Sequence, residues 1–314
     1  MTTSASVDFS VNRDEIILQA MSDATVLGVD QVPNSDDITR CGFKLNLLVK
    51  QWQGRADYGA NLKVWSRKTA YLFLQQGQSV YSLGPSGDNW TGTYSTTTLS
   101  AAKLASATSL SLTAAVGANA DNVGIELSSG AIGWTTISSG GGTTTLTLPA
   151  NSLGASASGA RVFTYTSKAR RPLSLLSAVL RDVNTKDAPL QVNKTRQDYE
   201  ALGDKTADGT PIWMAYEATL TNGTIYLNCE PSDVTRVVRV VFLGALEDFD
   251  ASTDTPDYPQ EWYRALVAQL AIDICPMYGK QVTQDLKLAR DEAVSIAMNT
   301  DPETSDICFE PGRE

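Results

Sequence analysis

Apolar residues recur with helical spacing at both ends of this chain, and this pattern most constrains its fold. A helix that carries one apolar face must bury that face against another element. Near the beginning, five such residues are separated by three or four positions: Ile38, Cys41, Leu45, Leu48 and Trp52. Near the end, the same spacing recurs at Trp262, Leu266, Leu270 and Ile274. The two stripes are therefore predicted to pack together.

Capping residues and prolines indicate where the terminal helices begin and end. The first helix is predicted over about Arg13–Leu27, with Asn12 as its N-cap, and Ser35 is predicted to cap the second. A third helix begins at Pro259, and Pro276 should kink or end it. A last helix is predicted over about 281–298.

Strand patterns occupy the middle of the chain. Residues 69–75 and 79–83 are predicted to form a hairpin around Gly77. Residues 173–181 and Leu190 also have strand character, and a short helix capped by Thr195 follows. Three further segments predict a β-meander, with Asn222-Gly223 as a tight turn: 212–220, 224–229 and 236–243.

The composition changes sharply over residues 88–166, which are rich in Ser, Thr, Ala and Gly and carry few charges. Disorder is one interpretation. Alternating segments separated by turn residues favour a small β-sandwich or barrel instead; they are 110–112, 123–127, 134–137, 145–148 and 162–165.

These patterns predict an α+β fold. Terminal helices form an α-helical bundle, and a central β-meander and a small inserted β-domain lie between them. The predicted domains are residues 1–87 with 167–298 for the helices and meander, and 88–166 for the insert. Residues 299–314 form an extended C-terminal tail.

Composition excludes several classes of function. The chain has 314 residues, a formal net charge of −10 and no histidine. It cannot hold a Ser-His-Asp triad or a zinc site built on imidazole. An acidic chain is poorly suited to wrapping DNA or lying on an anionic membrane. The four dispersed cysteines suit a reducing compartment, and neither a signal peptide nor a membrane-spanning stretch is expected.

Carboxylates are the remaining candidates for chemistry. An acidic loop could bind a divalent cation, although its spacing differs from that of a calcium loop and a solvated loop is favoured; it contains Asp248, Asp250, Asp254 and Asp257. Glu217 and Glu230 could act as a glycosidase pair, but acid pairs arise by chance in an acidic chain. We predict no catalytic residue, cofactor or metal.

Three other motifs have a structural explanation beside a functional one. Arg170-Arg171 could contact a phosphate, but an ion pair or interface is favoured. Gly140-Gly141-Gly142 predicts a turn. Four tryptophans could stack on bases, but no basic residues are interleaved with them, so a core or a subunit interface is favoured; they are Trp52, Trp65, Trp213 and Trp262. The residues predicted to pack subunits are Trp52, Trp262, Leu266 and Leu286.

The order of the motifs resembles that of the head-to-tail adaptor, or connector, proteins of short-tailed bacteriophages. The resemblance spans nearly the whole chain. The chain departs from the pattern in its large β-insert and at Asn228-Cys229-Glu230-Pro231. The matching residues are Leu45-Asn46-Leu47-Leu48, Lys50, Trp52, Leu62, Trp65, Gly77-Gln78, Tyr81, Gly84, Ile132-Gly133-Trp134-Thr135-Thr136, Arg170-Arg171-Pro172-Leu173, Arg196, Tyr199, Lys205, Gly209, Pro211, Asp248-Phe249, Pro259-Gln260-Glu261-Trp262, Leu270-Ala271 and Tyr278-Gly279.

The resemblance implies a virion protein made in the host cytoplasm and located between head and tail. Its subunits would form a ring, usually of twelve, beneath the portal protein, and the next tail component would bind below. Genomic DNA would pass through the lumen during ejection without specific binding. The tail of the chain would dock on the portal through its one apolar cluster: Ile307, Cys308 and Phe309.

Two alternatives belong to other classes. One is a tail-tube or baseplate structural protein, which would assemble without a portal. The other is a virion hydrolase that degrades peptidoglycan, an activity described for some relatives of the adaptors. The absence of histidine and of a clear acid pair argues against assigning peptidoglycan hydrolysis to this chain.

Overall fold

The computed structural model describes residues 6, 8–28, 31–54, 66–149 and 153–300. The chain divides into two compact units, and its fold is mixed α/β with helices at both ends. The helical unit comprises Met1–Ser66 and Leu246–Glu314, and the β-rich unit comprises Arg67–Ala245.

The helical unit draws its helices from both ends of the chain. They are α1 (Arg13–Asp23), α2 (Ser35–Gly54), α4 (Tyr263–Ile274) and α5 (Gln284–Thr300), while α3 (Arg196–Glu200) belongs to the β-rich unit. Both apolar stripes enter one buried core. The rings of Trp52 and Trp262 meet edge to face with centroids 5.7 Å apart. The predicted contact between the two stripes is therefore confirmed.

Helix ends follow local hydrogen bonding. The Asn12 side chain accepts from the Glu15 N–H and the Glu15 carboxylate accepts from the Asn12 N–H, so the predicted N-cap of α1 is confirmed. This helix ends at Asp23 rather than near residue 27, because Thr25 takes a left-handed conformation with φ 55°.

The predicted cap of α2 is wrong by one residue. The Asn34 side chain, not that of Ser35, accepts a hydrogen bond from the Asp37 N–H at 2.8 Å. Further along, α4 ends at Ile274 and a 3-10 turn follows over Cys275–Tyr278. Pro276 lies within that turn, so the expectation that it would end the helix is confirmed.

An eight-stranded sheet dominates the β-rich unit. With strands numbered along the chain, its order is β2-β14-β13-β11-β10-β16-β1-β3. Its buried face carries a core of aliphatic and aromatic side chains. The strands are β1 (Arg67–Phe73), β2 (Val80–Leu83), β3 (Trp90–Thr91), β10 (Ser174–Arg181), β11 (Asp187–Lys194), β13 (Trp213–Ala218), β14 (Gly223–Leu227) and β16 (Val237–Leu243).

Two predicted strand pairings are wrong. The segments around Gly77 form β1 and β2, but β1 pairs with β16 and β3, and β2 pairs with β14. The predicted meander is also interrupted, because β16 lies between β10 and β1. Only its first two strands, β13 and β14, are neighbours, and Ala218 pairs with Gly223 beside the predicted turn. The capped helix after β11 is confirmed as α3, with Thr195 as its N-cap.

Three small sheets complete the described β-structure. Each of the five alternating segments within residues 88–166 overlaps a strand, and ten buried apolar residues of this region form their own core. The sheets are β4-β9-β6-β7 (Ser95–Thr98, Arg161–Tyr165, Asn122–Glu126, Ile132–Thr136), β5-β8 (Ser109–Ser111, Thr145–Thr147) and β12-β15 (Asp208–Gly209, Glu230–Pro231). The predicted limits of the insert, residues 88 and 166, fall inside the β-rich unit.

Candidate functional site

The four residues predicted to pack subunits lie in the helical unit. Trp52, Trp262 and Leu266 are buried within a single chain, with at most 3% of their surface exposed. Leu286 is only partly buried and packs against the same core. The role of these residues between subunits stays a prediction. Leu286 also lines a groove on the surface of the helical unit.

That groove, of about 600 Å³, is formed by α1, α4, α5 and residues 9–11. Its apolar lining includes Tyr263, Val267, Leu286 and Ala289. Phe9 lies beside Tyr263 with ring centroids 6.2 Å apart, yet 65% of Phe9 remains exposed. A large aromatic side chain in this position marks a surface suited to binding another apolar group.

The charges of α1 make this groove acidic along one side. Glu15 and Asp23 both line it, and their side chains also bond within α1, to the Asn12 N–H and to Gln19. Arg264 is the basic residue of the lining. We call the whole feature the α1/α4/α5 groove.

A second exposed apolar feature lies on α2. Phe43 is 66% exposed and Leu47 is 51% exposed. Arg40 and Lys44 occupy the same side of the helix, since residues three and four apart are neighbours on a helix surface. We call these four residues the α2 ridge. The buried residues of α2, including Cys41, Leu45 and Leu48, lie on a different face of the helix and enter the core.

The acidic loop uses its carboxylates for local structure. Asp254 accepts from the N–H groups of Asp250 and Ala251, and Asp248 forms a 2.6 Å ion pair with Lys50. Arg13 donates to the carbonyl of Asp250 at 3.2 Å. Across the described ranges, no group of three or more His, Cys, Asp or Glu residues could hold a metal ion.

The two glutamates considered as an acid pair lie in different surroundings. Glu217 is on β13 opposite Thr224, near the start of β14, whereas Glu230 follows the end of that strand. The Arg196 guanidinium, 2.7 Å from Glu217, holds the pKa of this carboxyl below its usual value. A general acid requires a raised pKa, so Glu217 is badly placed for that role.

The remaining sequence motifs form a turn, a backbone hydrogen bond and buried side chains. Gly140-Gly141-Gly142 is a turn, as predicted, and a side chain on Gly141 would meet the backbone of Ala118 at 2.4 Å. The Arg170 carbonyl accepts from the Trp90 indole. Cys41, Cys229 and Cys275 are buried free thiols. Trp65 and the apolar cluster Ile307, Cys308 and Phe309 lie outside the described residues.

Sequence reasoning missed a buried lysine in the β-rich unit. Lys103 is only 4% exposed, and its ammonium donates to the carbonyls of Leu104, Leu153 and Gly154 at 3.2–3.3 Å. Burial lowers its pKa. A lone lysine in a Ser- and Ala-rich segment belongs to no periodic pattern, so the sequence could not predict that its side chain is buried.

Among the helices described, none is long and apolar enough to cross a membrane. The chain matches no protein-family model and no curated protein.

Proposed function

We propose that this chain is a structural virion protein, a head-to-tail adaptor whose subunits form a ring between the portal protein and the tail. The observation that carries the proposal is the joint packing of α1 and α2 with α4 and α5, since helices from both chain ends form one core. In this proposal these helices are the bundle that builds the ring wall. The residue order that resembles the adaptors supports the same conclusion.

The C-terminal tail is the proposed attachment to the portal. Helix α5 continues to Thr300, so the predicted start of the tail at residue 299 is wrong by two residues, and the tail follows the helix directly. Residues 301–314 carry five carboxylate side chains, one arginine and the cluster Ile307-Cys308-Phe309. A short acidic segment with one apolar cluster can bind by folding onto a partner, with that cluster as its anchor.

The net charge of −10 suits a conduit for DNA. Basic walls would hold phosphates through counterion release, whereas acidic walls repel them and allow the duplex to move. The segment 88–166 is proposed to project from the outer surface of the ring, where an inserted domain leaves subunit contacts undisturbed. The next tail component would bind the lower face.

Assembly on the portal tests this function. The chain is mixed with its cognate portal protein, and complexes are followed by sedimentation and electron microscopy. We expect closed rings, usually of twelve subunits, on the portal. Deletion of residues 301–314, or the triple variant Ile307→Ser, Cys308→Ser, Phe309→Ser, should abolish binding because the apolar anchor is lost.

The matched control is the triple variant Pro302→Ala, Glu303→Ala, Thr304→Ala, which changes the same tail without touching its apolar cluster and should bind normally. A tail-less chain that assembles as well as the intact one would refute docking through the tail. Tubes formed without portal would favour the tail-tube alternative. Clearing of cell-wall suspensions that is lost in Glu217→Gln or Glu230→Gln would favour the hydrolase.

A further inference from the structure

We propose that the α1/α4/α5 groove of one copy receives the α2 ridge of a second copy, so that the chain associates with itself head to tail. This inference rests on the proposed function, because a ring needs two different surfaces on each subunit. It goes further by naming those surfaces and the side chains that join them.

Shape and chemistry make the two features compatible. Phe43 and Leu47 are one helical turn apart, so their side chains project together as one apolar ridge. The groove offers an apolar wall from Tyr263, Val267 and Leu286, with a volume of about 600 Å³. A helix that inserts residues i and i+4 into an apolar groove is a common mode of recognition.

Charge favours the same pairing, because the groove is lined by two carboxylates, Glu15 and Asp23, and by one guanidinium, that of Arg264. Arg40 is exposed beside Phe43 and forms no ion pair with any residue that the structure describes. Glu15 and Asp23 are exposed along one side of the groove. A ridge seated in the groove brings the guanidinium of one copy toward the carboxylates of the next, while two ridges facing each other would oppose like charges.

The positions of the helices favour a head-to-tail arrangement. Helix α4 packs against α1, α2 and α5, whereas contact between α2 and α5 within the described helices is at most marginal. The ridge faces away from the core of α2, and the groove lies on the side of α4 that carries α5. The ridge and the groove are two different surfaces of one subunit, so the contact between them is heterologous. A heterologous contact generates a ring when the rotation closes.

Two complementary variants of the full chain test the contact. Phe43→Ser with Leu47→Ser removes the ridge and keeps the groove, while Ala289→Arg fills the groove and keeps the ridge. We expect each variant by itself to associate on the order of 30-fold more weakly than the wild type, as for loss of a central contact. Sedimentation velocity measures the association, and circular dichroism checks that each variant is folded.

The control is Leu288→Ser, which removes a leucine of similar exposure, 57%, from the outer side of α5 and should leave association unchanged. The decisive sample is an equal mixture of the two complementary variants. It should form dimers of one ridge variant and one groove variant, with near wild-type affinity and no larger species, because each pair has only one intact contact.

Three results would overturn the inference: a wild-type chain that stays monomeric at about 0.1 mM, a ridge variant that associates like the wild type, or folded complementary variants that do not bind each other. The samples contain no portal protein. A chain that fails to associate with itself would therefore overturn this inference without deciding whether the chain binds the portal. Conversely, self-association without portal binding would count against the proposed function alone.

Discussion

The hydroxyl of Tyr81 holds the loop that follows β1. Tyr81 is fully buried, and its hydroxyl accepts from the Gln75 N–H at 2.9 Å and donates to the Gln75 carbonyl at 3.2 Å. Burial raises the pKa of this tyrosine, so its proton is available to donate throughout the physiological range. The backbone N–H and carbonyl of one loop residue, Gln75, are therefore both bonded to a single side chain.

We expect Tyr81→Phe to lower the free energy of unfolding of the β-rich unit by about 1–3 kcal/mol, because it leaves buried backbone groups without a partner. Urea denaturation measures the effect. Tyr71→Phe is the control, since the Tyr71 hydroxyl bonds to no residue that the structure describes, and it should change stability by less than about 0.5 kcal/mol. Equal losses in the two variants would show that the loop bond contributes little.

At the scale of elements, helix ends depended on which polar side chain reaches a free N–H group. Asn12 and Thr195 could be identified from sequence because each is followed three residues later by an acidic residue that completes a capping box. The same spacing favours Asn34, which is followed three residues later by Asp37, over the predicted cap Ser35, which is followed by Ile38. Asn34 is the cap in the structure because its side chain accepts a hydrogen bond from the Asp37 N–H.

This difference gives a prediction for α2. Asn34→Ala should destabilise the helical unit by about 0.5–2 kcal/mol, because an N–H group at the positive end of α2 loses its acceptor. Ser35→Ala should have an effect below about 0.5 kcal/mol. Thermal unfolding of both variants compares them directly, and a larger loss in the serine variant would restore Ser35 as the cap.

At the scale of the whole molecule, the β-rich unit is formed by one continuous segment, whereas the helical unit is formed by the segments before and after it. Arg67 at the start of β1 pairs with Leu243 at the end of β16, so the two ends of the β-rich unit are neighbours. The cores of its large and small sheets contain only residues from within Arg67–Ala245. The helical core, in contrast, needs residues from both ends of the chain, as the Trp52–Trp262 contact illustrates.

We therefore expect a fragment of residues 67–245 to fold by itself and to unfold cooperatively, as small domains with their own core do. A fragment of residues 1–66 should show no cooperative transition, because α1 and α2 would lack the apolar faces of α4 and α5. Circular dichroism during heating tests both. A cooperative transition in the short fragment, or none in the long one, would contradict this division.

The sequence by itself determined the helices and most of the longer strands, because each is encoded by the spacing of neighbouring residues. It did not predict the short strands β3, β4, β12 and β15. It also located the β-rich segment 88–166 and the packing of Trp52 near Trp262. Only the tertiary structure decided that β1 and β2 do not pair, and that α1, α4 and α5 leave an open groove between them. Strand partners and surface grooves depend on contacts between residues far apart in the chain, and periodicity within one segment carries no information about them.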